Sequence, residues 1–469
     1  MAHKETASSF TIVNPVNGEQ IATYAGHTDS EVKAILEEVG TAQKKWAALP
    51  FSERSRYFRA VAAQLRKEAS ELAKTIALEM GKPITQGLGE IEKCAMNCEF
   101  YAEHAEEFLA DEKLTLETSH IRYEPMGTVL AVMPWNYPFW QVLRCIGPIM
   151  MAGNAMVLKH ASNVMGCAIQ MEGVLERAGL PKNVFRTLKI SARQVPAVIS
   201  HPVIAAVTLT GSEPAGRAVT AAAGAELKPC VLELGGSDPY IVLDDANVEE
   251  AAKVGAWARN QNAGQSCIAA KRFIVVDSVY DKFVSLFTQE VKALKMGDPL
   301  QNDTQVGPMA REDLRNELHD QVVRSVRAGA RVLVGGEVPK QPGAYYPPTV
   351  LANVGPGVPA FDEETFGPVA AVIRVKNEEE AIAMANKSRF GLGSSVWTTD
   401  MNRANRVAAQ IESGMVFINS MTRSDSRLPF GGVKASGFGR ELWVQGIRAF
   451  AHVKTVCRVP DSAALSESE

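Results

Sequence analysis

Apolar residues three and four apart run through EVKAILEEVGTAQKKWAAL and again from Ser52 to Met80, so residues 29–110 predict mainly amphipathic helix. Before them, TIVNPVNGEQIATY reads as a hairpin-like piece, and after them KLTLETSHIRYEP reads as strand-like. From Thr128 the texture changes to short apolar runs, TVLAVM, AMVLK, VFRTLKI and IAAVTLT, with helical patterns between them. Such alternation predicts βαβ units around a parallel sheet. A second alternating region opens at PYIVL and continues through KRFIVVD, the helix-like SVYDKFVSLFTQEVKAL, RVLVGG, GPVAAVIRV and GMVFIN. The pattern therefore predicts two α/β domains with a boundary near Gly235–Gly236.

Composition narrows the class without choosing a function. A formal charge of −4 over 469 residues, with both signs interspersed, gives no reason to expect nucleic acid or an anionic membrane as a partner. The most apolar stretch, VLRCIGPIMMAGNAMVL, is interrupted by Arg144, Gly147, Pro148 and Gly153, which argues against a membrane span. MAHKETASSF lacks the apolar run of a signal peptide, and PDSAALSESE reads as a frayed polar tail. The seven cysteines are scattered with no CxxC pair, no HExxH occurs, and the histidines do not cluster. A reduced, cytoplasmic protein without a metal is the expectation.

Candidate chemistry begins at strand ends. No GxGxxG follows a strand; the nearest phosphate-compatible turn is VTLTGSEPAGRAV, where Gly211, Ser212 and Gly216 open a helix. Free N–H groups at a helix start and the Ser212 hydroxyl suit an anion, although the same sequence also serves as an ordinary cap. Lys159 closes AMVLK at the carboxyl end of a strand, where open α/β sheets bind ligands, or stands there simply as a solvated lysine. In NAGQSCIAA, Cys267 is a nucleophile or a small buried hydrophobe, and its own neighbours leave both open.

Taken together, PWNYPFW around Asn136, VLELGGSDP around Glu233, NAGQSC around Cys267, EETFGPV around Glu364 and PFGGVKASGFGRE at 429–441 resemble the aldehyde dehydrogenase superfamily over essentially the whole chain. The resemblance implies an α/β fold with a Rossmann-like cofactor-binding domain (1–112 and 126–234) and an α/β catalytic domain (235–440). A small β oligomerisation arm and C-terminal segment (113–125 and 441–469) would make a homodimer or homotetramer. It implies that Cys267 attacks an aldehyde, helped to ionise by partial exposure and favourable dipoles. Asn136 and the Cys267 backbone N–H would hold the oxyanion, and Glu233, its pKa raised by burial, would activate water against the thioester. Glu364 and Phe366 would hold the nicotinamide ribose and ring, with Trp135, Lys159, Gly211 and Ser212 on the adenosine and phosphate side.

Several positions depart from the common pattern. Ser162 stands where NAD-preferring members often have Glu, which implies NADP used at least as well as NAD. Arg144, eight residues after Asn136, resembles the arginine of members that oxidise succinate semialdehyde. Ser424 resembles their carboxylate-site serine, and KHASN and SDSRLPFGG look most like bacterial short-form succinate-semialdehyde dehydrogenases. Arg144 is thus expected to anchor a substrate carboxylate or, alternatively, to pair with a carboxylate of the fold; Arg427 is a rival anchor. Cys145 replaces a lysine thought to relay protons, whose usual partner would be Glu441, and Ser266 leaves Cys267 without an adjacent thiol. The alternatives are a dehydrogenase of medium-chain or aromatic aldehydes, and a cofactor-free cysteine esterase or acyltransferase.

Overall fold

The computed structural model describes residues 8–115 and 119–457. The frayed tail expected at PDSAALSESE lies outside the described residues. The amino-terminal helical pattern resolves into Asp29–Ala47, Phe51–Lys67, Ala69–Met80 and Ile84–Phe108. A Thr28–Glu31 capping box starts the first, and Gly81 in the left-handed region ends the third. Their apolar faces, with Leu36, Phe58, Ile76 and Ile91 fully covered, pack into one core with the first sheet.

Two large sheets carry the α/β architecture that alternation predicted. The first runs in the order Gly437–Phe438, Cys230–Glu233, Ile204–Thr210, Thr128–Val132, Ala155–Lys159, Phe185–Thr187. All its pairings are parallel except that of Gly437–Phe438, which arrives from near the end of the chain. Strand order reverses at Thr128–Val132, whose two neighbours come from later in the chain on opposite sides. Crevices at such reversals, outside the carboxyl ends of the strands, are where open α/β sheets take ligands.

The second sheet runs Arg331–Val334, Thr349–Ala352, Val369–Val375, Ala270–Val276, Asp238–Val242, Ser395–Trp397, Phe417–Ile418. Only its edge pair Arg331–Val334 and Thr349–Ala352 is antiparallel. The chain passes from one sheet to the other between Glu233 and Asp238, across Leu234, Gly235, Gly236 and Ser237. VFRTLKI and GMVFIN supply shorter strands than their apolar runs suggest, Phe185–Thr187 and Phe417–Ile418. Both are outer strands with a partner on one side only.

A separate antiparallel sheet joins Ala451–Cys457, Ser119–Pro125 and Glu112–Lys113, with Ala451–Cys457 at its edge. Among the described residues no helix is long and apolar enough to cross a membrane, and no group of three or more His, Cys, Asp or Glu side chains could hold a metal.

Candidate active site

The carboxyl ends of the first sheet face loops from the amino ends of the second. Thr128–Val132 leads into Trp135 and Asn136, Ala155–Lys159 ends on Lys159, Ile204–Thr210 leads into Gly211 and Ser212, and Cys230–Glu233 ends on Glu233. From the other side, Cys267 precedes Ala270–Val276, and Glu364 and Phe366 precede the neighbouring strand Val369–Val375. Adjacent parallel strands thereby set the thiol loop beside the Glu364–Phe366 loop.

The turn into Trp140–Met151 is braced from two sides. Glu90 Oε1 accepts the Phe139 and Trp140 backbone N–H groups, both at 2.9 Å, placing an anion at the positive end of that helix. Glu90 in turn forms a buried ion pair with Lys82. His160, from KHASN, lies 2.9 Å from the Pro138 carbonyl and 3.3 Å from that of Met133; burial lowers its pKa to about 4.

The nucleophile loop has its own frame. Asn262 and Ala263 adopt φ of 54° and 51°, turning the chain sharply before Gly264. Buried Arg259 donates to the Gly264 carbonyl (2.9 Å) and the Thr365 carbonyl (3.1 Å), tying the two loops together. Lys271, also buried, donates to the carbonyls of Ser266 (2.9 Å) and Cys267 (2.8 Å) and lies 3.3 Å from Glu364. Neither cation was expected from the sequence; the adjacent Lys271 and Arg272, four and five residues past the cysteine inside an otherwise apolar run, were the available signal.

Two cavities meet at Cys267, with Gln141 the other residue common to both. One, of about 260 Å3, reaches from Cys267 and Asn136 past Trp135, Glu364 and Phe366 to Gly211 and Ser212. Trp135 and Phe366 meet edge to face, with ring centroids 5.7 Å apart. Ser212 precedes the helix Glu213–Ala225 and its side chain makes no capping bond, so hydroxyl and helix N-terminus both remain available. Gly216 does not line this cavity, contrary to expectation: a Cβ there would sit 2.7 Å from Leu234, so this glycine serves helix packing. Lys159 does not line it either; burial lowers its pKa, with no acidic neighbour opposing. Ser162 lies apart, on a cavity of about 680 Å3 with Asn163, Arg311 and Arg315.

The other cavity, of about 110 Å3, is lined by Lys93, Trp140, Arg144, Arg423, Ser424 and Phe430 among others. Arg144 and Ser424 are thus brought together beside the thiol. Arg144, however, is already paired with the buried Glu441, donates to Thr210 Oγ1 (3.2 Å) and lies 4.6 Å over the Phe430 ring. Its alternative reading, a partner for a carboxylate of the fold, describes these contacts. Arg427 is turned to Asp425 in a two-pronged pair and is 71% exposed, away from the cavity wall. Sequence reasoning missed Lys93, whose Nζ donates to Ser424 Oγ (2.6 Å). Its signal was slight: it borders the buried Ile91–Cys94 face of its helix.

The reacting groups show what the site can do. Asn136 Nδ2 gives one hydrogen to the Gln265 carbonyl (3.1 Å) and retains the other, while the Cys267 backbone N–H makes no hydrogen bond among the described residues. Both donors are therefore open to an oxyanion. Glu233 is buried, neither carboxyl oxygen has a partner, and burial followed by Glu441 holds its pKa well above the usual range. A Cβ at Gly431 would fall 2.7 Å from its Oε1. Glu441 accepts from Cys145 Sγ (3.2 Å) and Thr208 Oγ1 (3.4 Å), so Arg144 supplies the cation absent at position 145. Cys267 is half-buried; burial pushes its thiol to about 12, with Arg144 and Lys271 opposing and Glu233 and Glu364 adding to the rise.

The family model described as "Aldehyde dehydrogenase family" matches residues 2–456. The probable succinate-semialdehyde dehydrogenase [NADP(+)] of Synechocystis sp. is 48% identical over 446 residues, 95% of this chain and 98% of that protein. Succinate-semialdehyde dehydrogenase [NADP(+)] 1 of Mycobacterium tuberculosis is 47% identical over 449 residues, 95% and 98% respectively. The crystal structure of succinic semialdehyde dehydrogenase from Streptococcus pyogenes, with NADP+ as cofactor, aligns at a TM-score of 0.94 and 37% identity, covering 96% of this chain and 100% of that one.

Proposed function

This chain belongs to the aldehyde dehydrogenase family, and on that basis we propose that it oxidises succinate semialdehyde to succinate with NADP, through a thioester on Cys267. The observation that carries the reading is the position of Cys267 where an apolar, aromatic-walled cavity meets a small cationic one. The first suits a nicotinamide, the second a short aldehyde ending in a carboxylate. The names of the relatives and of the NADP+-bound neighbour agree with both halves.

The residues act in sequence. Cys267 first gives its S–H proton to water and then adds to the aldehyde carbon as the thiolate, while Asn136 and the Cys267 N–H hold the developing oxyanion. Trp135, Phe366, Glu364, Gly211 and Ser212 would hold the cofactor, with Lys159 and Ser162 toward its adenosine phosphate. When bound, its nicotinamide supplies the hydride acceptor that aldehyde oxidation requires. Glu233, with no partner fixing its carboxyl, then turns to a water and takes its proton as the oxygen attacks the thioester, releasing the acid and the thiol. The arm built on Ala451–Cys457 serves a homodimer or homotetramer, because its edge strand offers unpaired backbone groups. The enzyme is cytoplasmic on this reading.

A matrix of succinate semialdehyde, butanal and benzaldehyde against NADP and NAD, with Cys267→Ala as the blank, tests the assignment. We expect the highest kcat/KM for succinate semialdehyde with NADP. Because Cys267 and Glu233 both have raised pKa values and act deprotonated, rates should climb from neutral to alkaline pH. Ester cleavage without nicotinamide reduction would instead support a cysteine hydrolase, and equal rates for all aldehydes a broad-specificity enzyme.

A further inference from the structure

Ala270–Val276 runs beside Asp238–Val242, but the pairing skips one residue: Asp238 lies opposite Ala270, and Pro239 lies opposite Arg272. Lys271 is the extra residue, and such a bulge re-aims a side chain that the pleat otherwise fixes. Arg272 turns to the carbonyls of Ser237 (3.0 Å), Met384 (2.7 Å) and Ala385 (2.9 Å). Lys271 instead turns back onto the nucleophile loop. Its buried ammonium donates to the carbonyls of Ser266 at 2.9 Å and Cys267 at 2.8 Å, and Glu364 Oε1 lies at 3.3 Å. An ammonium has three hydrogens, and three acceptors meet them.

Two of those acceptors flank the nucleophile. The Ser266 carbonyl and the Cys267 N–H belong to one peptide group, and none of the described peptides is cis. In a planar trans peptide the two bonds point in opposite directions. A cation fixed on the Ser266 oxygen therefore fixes the opposite direction for the Cys267 N–H, which makes no hydrogen bond among the described residues. It also draws electron density toward that oxygen and leaves the N–H a stronger donor, since linked hydrogen-bonding groups polarise one another. The Ala269 N–H reaches the same oxygen at 3.2 Å, but it brings no charge. The bond to the Cys267 carbonyl holds the next peptide, so the thiol-bearing Cα is fixed from both sides.

We propose that Lys271 is the positioning residue that aims and polarises the Cys267 N–H as an oxyanion donor, acting through the Ser266–Cys267 peptide without touching substrate. The inference rests on the reading of that N–H as half of the oxyanion site. Glu364 supplies the counter-ion: burial lowers the Lys271 pKa, and Glu364 first, then Asp238, oppose the fall. One ammonium thereby joins the oxyanion peptide to the carboxylate on the cofactor side.

The test reads the hydrogen bond at the carbonyl itself. Glu233→Gln traps the acyl enzyme, and succinate semialdehyde carrying carbon-13 at its aldehyde position makes the thioester carbonyl visible by isotope-edited infrared spectroscopy. Adding Lys271→Met, which removes all three donors from an unbranched side chain, should move that stretch to higher frequency, because a weaker hydrogen bond polarises the carbonyl less. With Glu233 intact, Lys271→Met should lower kcat about ten- to hundredfold for succinate semialdehyde and butanal alike, with KM for both little changed. That loss is smaller than the roughly 10²–10³ for removing an oxyanion donor outright. Lys271→Gln, a neutral donor able to keep one carbonyl bond, should fall between wild type and Lys271→Met in both readouts. It takes the place of the methionine variant if that one folds poorly or fails to acylate. An unmoved stretch overturns the inference, whether activity is kept or lost, because a mere strut for the loop lowers activity without weakening this bond; the thioester reading then stands. No thioester band in Glu233→Gln itself overturns both.

Discussion

On one side of Cys267 the wall is Trp135, Phe366, Leu234 and Leu314, ending at Gly211 and Ser212; on the other it is Lys93, Arg144, Arg423 and Ser424. The first wall offers aromatic surface and a helix N-terminus, and its one carboxylate, Glu364, is already engaged by the Gly236 N–H (3.0 Å) and Lys271. The second concentrates positive charge in a smaller space. A shared thiol between such unlike walls is suited to joining a flat ring on one side to a short acid on the other. Residues on the shared wall should therefore affect every substrate, and residues on one side only that side's ligand.

The largest effect is expected at the oxyanion donors beside the shared thiol. Asn136→Ala should lower kcat by about 10²–10³ for succinate semialdehyde and butanal alike, since the lost donor serves the oxyanion rather than either tail. Steady-state kinetics on both aldehydes checks it, and a loss confined to one would remove Asn136 from the oxyanion site. A smaller effect is expected far along the cofactor side. Ser162→Glu should lower kcat/KM for NADP by at least about tenfold through like-charge repulsion, with NAD and the aldehyde KM little changed. Equal loss with both cofactors would detach Ser162 from the phosphate.

The same contrast explains what the sequence could disclose. The cofactor side is assembled from consecutive strand ends, and strands are marked locally by short apolar runs such as TVLAVM, AMVLK and IAAVTLT. Lys159 and Gly211 could therefore be placed at the carboxyl edge of a sheet from pattern alone, whereas Trp135 and Glu233 drew their roles from the family motifs. The thiol stood out only through its resemblance to a family motif, because nothing within NAGQSCIAA distinguishes a presented cysteine from a packed one. Lys93 and Ser424 meet across 331 residues of chain, and no local pattern records such a meeting. Arg144 was legible as a cation near Asn136, but its pairing with Glu441 depends on the late strand Gly437–Phe438 returning to the first sheet. Gly216 packs against Leu234, and a glycine that admits a leucine and one that admits a phosphate read alike in sequence.

Trapping the acyl enzyme tests the central claim most directly. Glu233→Gln, mixed with succinate semialdehyde and NADP, should form NADPH in one turnover and then stall, because Cys267 still acylates but water is no longer activated. Intact-mass and peptide mass spectrometry should then find one succinyl group on Cys267, and none when Cys267→Ala is added. Full steady turnover in Glu233→Gln with no adduct, or an adduct on any other cysteine, would contradict the account.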